Sequence, residues 1–382
     1  MVYLSKKNMR KTIVFYFIFQ SFFLHSQIRC ASDHYMSSLF QINNLYKNSQ
    51  RNVNKEIVQW TSNNNQKESI NIITIPVVVH VIWEDNTDEN ISDMQILSQI
   101  EILNKDFRRT NIDVINTPSV WNSIAADCEI EFCLASVDPY GNATSGINRV
   151  KTSVSTFNLI GDKMKSTNEG GTDPWPINDY LNIWVCDLSG GILGYATSPS
   201  NFLSSGDGVV VSYKHFGDNG TVEPPYHKGR TTTHEVGHYL GLKHLWGDSN
   251  CGDDQINDTP TQQGENNDCP GFPHNQNSCG TQNLNGDMFM NYMDYVNDFC
   301  MNMFTQDQKT RMVASINLYR NNFLTQTICN SSTSIINSTN KQNKKLIRII
   351  DILGRKQSYE KKNTINLYIF DDGTVEKKIK IN

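Results

Sequence analysis

The feature that most constrains this chain is a short run in the middle of the sequence that contains three histidines and one glutamate. His234 and His238 are four residues apart, so on an α-helix they project from one face and can bind one metal ion. Gly241 can adopt the left-handed conformation that ends a helix, which allows His244 to fold back as a third ligand. Glu235 then lies beside the metal as a general base. The run predicts a zinc hydrolase that activates a water molecule at the open fourth position.

Two alternatives to a catalytic zinc site are open. The histidines could be ordinary surface or core residues of an amphipathic helix, or they could belong to a structural zinc site. A structural site needs four protein ligands and usually includes cysteine, and no cysteine lies between His234 and His244. The spacing therefore favours catalysis.

The first residues have the layout of a secretory signal peptide. Four basic residues precede the apolar run from Thr12 to Leu24, and a short polar stretch follows it. We assign residues 1–26 to the signal peptide, with an uncleaved anchor as the alternative. A net charge of -5 gives no reason to expect a nucleic-acid partner. The expected location is secreted or at the cell surface, with no membrane span after cleavage.

Export determines how the nine cysteines are interpreted, because cysteines can pair outside the cytosol. Four follow the histidine run in a segment with little apolar periodicity, where three pairings are possible. These four are Cys251, Cys269, Cys279 and Cys300. Cys128 and Cys133 share one strand-like run and cannot bond to each other without a bend. Together with Cys186, they are expected to be buried thiols.

Residues 27–70 are polar and rich in Asn and Gln, which is typical of a pro-segment. Cys30 lies just after the expected signal cleavage site. Its thiolate could occupy the open zinc position and keep the enzyme latent, because sulfur is a good zinc ligand. Cys30 could equally be a free or mispaired cysteine. Basic residues such as Arg51 offer processing sites.

Residues 71–328 have the pattern of an α+β catalytic domain with a twisted mixed sheet. Ile72 to Trp83 is a nearly continuous β-branched run, typical of a strand that is buried on both faces. Three more strands are expected over residues 129–135, 180–187 and 208–213. Helices are expected to begin at Ser92 and at Thr305, each followed three residues later by Gln. His80 is expected to be a core residue, whereas His215 and His227 are expected to face solvent.

The stretch Gly190 to Ala196 is a short strand flanked by glycines. It is suited to the edge of the sheet, where an extended peptide can pair with its backbone. The substrate is expected to lie along Leu193 to Ala196.

These motifs together resemble a known protease family. The pattern from His234 to His244, followed by Asn291-Tyr292-Met293-Asp294-Tyr295, resembles the metzincin clan and its Met-turn. Three further features are similar to the pappalysin family and its ulilysin-like members: Cys251 with Asp258-Thr259-Pro260, the run from Met293 to Thr305, and Gln308-x-x-Arg311-Met312. The resemblance covers residues 72–325.

The resemblance implies roles for individual residues around the metal. His234, His238 and His244 would bind zinc, with Glu235 as the base. Met293 would form a packing floor beneath the metal. Tyr295 would donate its hydroxyl to the oxyanion of the reaction intermediate, with an aromatic core residue as the alternative.

The resemblance also implies features outside the zinc site. It pairs Cys251 with Cys279 and Cys269 with Cys300. It places Ca²⁺ on a loop through Asp254, Ile256 and Thr259, although a solvated acidic loop fits the same residues. Ulilysin-like members prefer arginine after the scissile bond, and Asp298 is the candidate carboxylate for that guanidinium. Asp298 could instead cap a turn.

Residues 329–345 are rich in Ser, Thr, Asn and Lys, which predicts a linker. Residues 346–382 predict strands and a hairpin at Asp372-Gly373. They resemble a shortened C-terminal sorting domain of the type IX secretion system, through Asp351-x-x-Gly354-Arg355, Asp372-Gly373-Thr374 and Lys377-Lys378. The alternative is a small adhesive β module.

We therefore predict a secreted zinc endopeptidase that acts on protein or peptide substrates and contacts secretion machinery through its tail. One alternative is a catalytically silent surface protein that has the same fold, although the intact Glu235 argues against it. Another is a peptidase that cleaves only its own pro-segment or one partner.

Overall fold

The computed structural model describes residues 27–42, 44–63, 72–85, 88–200, 206–329, 346–350, 355–357, 365–370 and 375–379. The expected signal peptide, the linker and the Asp372-Gly373 turn lie outside these residues. The described residues fall into two compact units that divide after Cys329. No helix among them is long and apolar enough to cross a membrane.

The first unit contains a mixed six-stranded sheet with the order β2-β1-β4-β6-β5, in which β3 also pairs with β1. The strands are β1 (Ile73–Trp83), β2 (Ile130–Leu134), β3 (Ile147–Lys151), β4 (Leu181–Cys186), β5 (Gly194–Ala196) and β6 (Val209–Ser212). All pairs are parallel except β5 with β6, which is antiparallel. The short strand β5 therefore forms one edge of the sheet, as the sequence predicts.

Three helices pack around this sheet: α3 (Asp93–Phe107), α4 (Arg230–Tyr239) and α5 (Gln306–Tyr319). Ser92 caps α3 by accepting a hydrogen bond from the Gln95 backbone. Thr305 and Gln308 form the complete capping box of α5. The central strand β1 is almost entirely buried, because Val77, Val79 and Val81 lie in the main core with residues of α3, and Val78 on the other face packs with Ala135 and Tyr180.

Two further helices precede the sheet, α1 (Ser32–Ile42) and α2 (Asn44–Asn63), and the sequence pattern predicts neither of them. They belong to a polar segment, yet α2 buries Val53 and Ile57 against Ala314 of α5. Asn54 also accepts a hydrogen bond from Arg311. One face of α2 is therefore packed against α5, while the rest of the helix is largely exposed.

The chain between α4 and α5 is irregular and is held by cross-links. The disulfides Cys251–Cys279 and Cys269–Cys300, the two pairs that the resemblance implies, both lie in this region. Cys128 and Cys186 are buried thiols as predicted. The prediction for Cys133 is wrong, because Cys133 forms a third disulfide with Cys329 at the end of the unit.

The second unit is a four-stranded antiparallel sheet with the order β10-β9-β7-β8. Its strands are β7 (Leu346–Ile350), β8 (Lys356–Gln357), β9 (Ile365–Phe370) and β10 (Val375–Ile379). β9 and β10 pair as a hairpin does, with Val375 opposite Ile369.

Candidate active site

The three histidines converge at the end of α4. His234 and His238 project from one face of the helix, and their Nε2 atoms are 3.0 Å apart. The chain then turns through Gly241, which has a φ of +94°, and brings the Nε2 of His244 to 3.0 Å from that of His238. The left-handed turn that the sequence predicts at this glycine is what returns the third histidine to the site.

The other ring nitrogen of each histidine is held by an oxygen atom. His234 Nδ1 lies 2.7 Å from the Tyr292 carbonyl, and His238 Nδ1 lies 3.0 Å from the Leu242 carbonyl. His244 Nδ1 lies 2.6 Å from a carboxylate oxygen of Asp248. These partners leave the three Nε2 lone pairs directed at a common point.

The donor set fits Zn²⁺. Burial lowers the pKa of His238 to about 3 and that of His234 well below its usual range, so both rings are neutral ligands at neutral pH. The Sγ atom of Cys30 and one ligand atom of each histidine lie within 4.8 Å of one another. Three imidazoles and one thiol are a common tetrahedral zinc set.

A methionine supports the helix beneath the histidines. Met293 is fully buried, and a Cβ at Gly237 would lie only 2.5 Å from its sulfur atom. Because Gly237 lies between His234 and His238, its missing side chain creates the space that Met293 fills. Met293 therefore contacts the helix directly below the ligands.

Glu235 is fully buried beside the three histidines. Its Oε2 accepts a hydrogen bond from the Ser32 hydroxyl at 2.8 Å, and the Cys30 thiol lies 3.5 Å from the same oxygen. Burial raises the pKa of Glu235 to about 7, and these two hydrogen bonds oppose the rise. A carboxyl group with a pKa near neutrality can both accept and deliver a proton.

Tyr295 lies beside two of the histidines, with its ring centre 5.8 Å from that of His234 and 5.0 Å from that of His244. Its hydroxyl is 3.2 Å from His244 Nε2. Burial, reinforced by the nearby acidic groups, raises the pKa of Tyr295 far above its usual range, so the hydroxyl keeps its proton as a donor. Tyr295 is thus placed at the metal position, not in the general core.

Residues at the start of the expected pro-segment lie across the site. Ile28 and Ala31 donate backbone hydrogen bonds to Gly191 and Gly194 on the edge of the sheet, and Ile28 runs parallel to that edge. Cys30 lies between them, above the histidines. The edge predicted to receive substrate is therefore covered by the chain's own N-terminal segment.

Asp298 lies at the bottom of an adjacent pocket that Arg29 fills. The Arg29 guanidinium makes a 3.0 Å ion pair with Asp298 and donates to the Thr231 hydroxyl at 2.7 Å. It also lies 4.5 Å from the centre of the Tyr226 ring. The other oxygen of Asp298 accepts the backbone N–H groups of Lys228 and Arg230. Asp298 thus both caps a turn and pairs with a guanidinium.

The three residues expected to bind calcium lie together in one turn. The Thr259 hydroxyl is 2.8 Å from an Asp254 carboxylate oxygen and 3.2 Å from the Ile256 carbonyl. Asp254 is 5% exposed, so it is not part of a solvated acidic loop. Burial raises the pKa of Asp254 to about 7, with the Thr259 hydrogen bond opposing the rise.

Sequence reasoning misses the network that supports this site. Asp106 of α3 accepts hydrogen bonds from Arg230, Thr233 and Tyr292, and so connects α4 to the Met-turn. These residues are far apart in the sequence, and no local motif indicates their contact. Asp248 is also missed as a partner of His244, although its position four residues later is a signal that could have identified it.

The prediction for His80 is confirmed, whereas the prediction for His215 is not. His80 is a core residue as expected, hydrogen bonded to Asn182 and stacked on Trp184. The prediction for His215 is wrong: its side chain is buried, and its Nδ1 lies 3.0 Å from the Tyr226 carbonyl. The loop that carries His215 folds back onto the wall of the Arg29 pocket instead of extending into solvent.

Residues 165–317 match the family model Peptidase_M43, described as pregnancy-associated plasma protein-A. An extracellular metalloprotease of Arthroderma otae is 30% identical over 259 residues, which cover 65% of this chain and 79% of the relative. Extracellular metalloprotease 1 of Coccidioides posadasii is 38% identical over 140 residues, which cover 35% of this chain and 48% of that protein.

Solved structures of mirolysin from Tannerella forsythia are also similar. Mature mirolysin in complex with a cleaved peptide is 52% identical, with a TM-score of 0.61, and the match covers 64% of this chain and 91% of that one. A mutant of promirolysin is 45% identical, with a TM-score of 0.70, and the match covers 77% of this chain and 96% of that one.

Proposed function

Because the chain belongs to the pappalysin family of metalloproteases, peptidase M43, and is a zinc metalloendopeptidase, we propose that it is secreted as a latent precursor and cleaves peptide bonds before arginine. The observation that carries this proposal is the position of residues 28–31. They cover the edge of the sheet, with Cys30 over the three histidines and Arg29 in the Asp298 pocket. These contacts support both the proposed latency and the proposed preference for arginine.

His234, His238 and His244 would hold Zn²⁺, which when bound would supply a Lewis acid that activates water for attack on the scissile carbonyl. Glu235 removes a proton from the attacking water and then delivers it to the leaving amine. The protonated hydroxyl of Tyr295 donates a hydrogen bond to the oxyanion that develops on the scissile carbonyl.

A peptide library with arginine at varied positions tests this chemistry. We expect the activated enzyme to cut mainly before arginine, as identified by mass spectrometry. Glu235→Ala should lose at least a thousandfold in kcat/KM while it still binds one zinc per chain, because Glu235 supplies the base and not a ligand. A wild-type enzyme that binds zinc but cuts no peptide would contradict the proposal.

We propose that the Asp298 pocket binds the arginine side chain of a substrate in the same way as it binds Arg29. Thr231, Tyr226 and Asp298 surround its guanidinium with a hydroxyl, an aromatic face and a carboxylate. This environment suits arginine better than any apolar side chain. Arginine after the scissile bond would occupy the same position once the N-terminal segment has left.

We propose that Cys30 keeps the precursor latent by occupying the fourth zinc position. The contacts that support this are its proximity to the three Nε2 atoms and to Glu235. The full-length Cys30→Ala precursor, tested with a rapidly cleaved peptide, should be more active than the wild type. Serine at this position is the matched control for side-chain size. Equal activity of the alanine variant and the wild-type precursor would reject the role of Cys30.

Export and calcium binding complete the proposal. The signal peptide over residues 1–26 and the tail over residues 346–382 would direct secretion, and relatives of this chain are named extracellular metalloproteases. Deletion of the tail should leave the protein inside the producing cell if the tail is a sorting signal. Efficient release of the deleted protein would instead favour the adhesive module. Ca²⁺ would bind at Asp254, Ile256 and Thr259.

A further inference from the structure

A second side chain of the N-terminal segment fills a pocket on the other side of the zinc site. Tyr35 of α1 is 4% exposed, and its ring centre lies 4.9 Å from that of Tyr195 on the edge strand β5. Its hydroxyl donates a 2.6 Å hydrogen bond to Asp162. The tyrosine is therefore held by both its ring and its hydroxyl.

The walls of this pocket combine two opposite charges with aromatic faces. Lys165 makes a 3.0 Å ion pair with Asp162, and its side chain is only 3% exposed. The Lys165 Nζ lies 4.9 Å from the centre of the Tyr35 ring, 5.2 Å from that of Trp184 and 5.1 Å from that of Tyr195. A Cβ at Gly206 would lie 3.2 Å from the Asp162 carboxylate and 3.6 Å from the Tyr35 hydroxyl, so a glycine there lets the backbone approach both groups closely.

The two oxygens of Asp162 have separate donors. One oxygen accepts the Tyr195 hydroxyl at 2.5 Å, and this hydroxyl keeps its proton because burial raises the pKa of Tyr195 well above its usual value. The other oxygen accepts the Tyr35 hydroxyl and pairs with Lys165. When the N-terminal segment leaves, this second oxygen loses a charge-assisted hydrogen bond that only a new donor can replace.

The position of the pocket follows from the path of the N-terminal segment. Arg29 lies in the pocket proposed to bind the residue after the scissile bond, and Cys30 lies over the histidines. Tyr35 follows Cys30 in the chain and lies over Tyr195 on the edge strand. The segment runs along the edge from Gly191 past Gly194 to Ala196, whose backbone N–H donates to the Ser32 hydroxyl. Tyr35 therefore lies further along the edge than Cys30, away from Arg29, and we place its pocket in the half of the cleft that would receive substrate residues before the scissile bond.

We propose that in the mature enzyme the pocket formed by Asp162, Lys165, Trp184 and Tyr195 binds a tyrosine side chain of the substrate, on the amino-terminal side of the scissile bond. A cationic side chain would be repelled by Lys165, and an anionic one by Asp162. A phenylalanine ring would fill the space but leave the Asp162 oxygen with Lys165 as its one remaining partner from the pocket. The ligand class is thus a neutral aromatic ring with a hydroxyl.

This inference rests on the proposed function, because it requires the N-terminal segment to leave on activation. The test uses zinc-loaded full-length protein that has been allowed to activate, and peptides with arginine fixed after the scissile bond. Each position before the bond is varied among tyrosine, phenylalanine and leucine. At one position, we expect tyrosine to exceed phenylalanine about tenfold in kcat/KM.

The Asp162→Ala variant should lose this preference and cleave the tyrosine and phenylalanine peptides equally, because the acceptor is gone. Tyr195→Phe is the matched control: it removes the neighbouring hydroxyl but leaves the acceptor, so tyrosine should still be preferred. If Asp162→Ala does not fold, the ratio of kcat/KM between tyrosine and phenylalanine peptides, measured with the wild-type enzyme, tests the inference by itself. Equal cleavage of tyrosine and phenylalanine peptides at every position would overturn this inference, whereas no cleavage at all would overturn the proposed function.

Discussion

At the scale of single residues, the site depends on buried groups whose hydrogen-bonding partners are fixed. Asp298 shows this directly, because one oxygen holds the start of α4 and the other pairs with a guanidinium. The first contact is structural, and we propose that the second recognises the arginine side chain of a substrate. A substitution that keeps the first and removes the charge can separate the two roles.

Asp298→Asn is that substitution, because the amide oxygen can still accept the Lys228 and Arg230 backbone N–H groups. We expect kcat/KM for peptides with arginine after the scissile bond to fall about 30-fold or more, since a buried charge pair contributes about 2–5 kcal/mol. Peptides with leucine at that position should be cleaved at an unchanged rate. An equal loss for both peptides would mean that Asp298 is structural alone.

Asp248 is expected to orient a zinc ligand from outside the metal site. It lies 2.6 Å from His244 Nδ1, and such partners typically contribute 10- to 100-fold in metal affinity. Asp248→Ala should therefore weaken zinc binding by about that factor, measured by competition with a chromophoric chelator. Asp253→Ala is the control, because Asp253 is an exposed acid of the same loop whose side chain accepts only from Gln255. Equal affinities in the two variants would refute this role.

At the scale of elements, regular structure holds the ligands while irregular structure forms the walls. Helix α4 supplies two histidines and Glu235, and the turn after it supplies His244. Residues 247–287 contain few apolar side chains, and the buried acids Asp254 and Asp294 organise this stretch through hydrogen bonds. Burying ionisable groups without a cation costs stability at neutral pH.

Calcium should remove this cost at Asp254. Its folded-state pKa of about 7 lies above the usual value for aspartate, so its favourable contribution is present below about pH 4 and is lost as the pH rises through 7. Ca²⁺ binds the ionised carboxylate, so it should raise the Tm by about 5 °C or more at pH 8 and by less at pH 5. Asp254→Asn should abolish the difference, as measured by calorimetry. A calcium effect that is the same at both pH values would contradict this site.

The sequence predicts an element when neighbouring residues determine it, and misses an element that depends on contacts with distant parts of the chain. Strand β1 is predicted to within one residue because a continuous β-branched run between polar segments is typical of a buried strand. Strand β3 is missed because only two of its residues, Ile147 and Val150, are apolar. Helices α1 and α2 are missed because their burial depends on contacts with α5 and the edge strand, which a local pattern does not contain. The convergence of His234, His238 and His244 is predicted because the helical spacing of the first two and the turn at Gly241 are both local features of the sequence.

At the scale of the whole molecule, the N-terminal segment contacts both sides of the zinc site. Arg29 fills a pocket on one side, Cys30 lies over the metal position and Tyr35 fills a pocket on the other side. The latency that we propose would therefore not depend on one bond. Loss of any single contact should loosen the segment, and release of the whole segment requires cleavage of the chain.

The Cys133–Cys329 disulfide acts at the same scale, because it closes a loop with a sequence separation of 196 residues. It connects β2, on the sheet edge opposite β5, to the end of the first unit. A loop of this size restricts the unfolded chain strongly, so the bond should contribute about 3–5 kcal/mol to the free energy of unfolding. We expect Cys133→Ser to lower the Tm by about 10 °C while kcat/KM stays unchanged, since the bond lies far from the histidines.

A double-mutant cycle of Cys133→Ser and Cys329→Ser tests whether the stability comes from the disulfide itself. Because either substitution breaks the same bond, each single variant and the double variant should lose nearly the same free energy of unfolding in denaturant titrations. Losses that add would show that each cysteine contributes through separate packing and that the cross-link itself has little effect. Equal losses would show that stability comes from joining two distant parts of the chain, a contribution that no pattern of neighbouring residues could reveal.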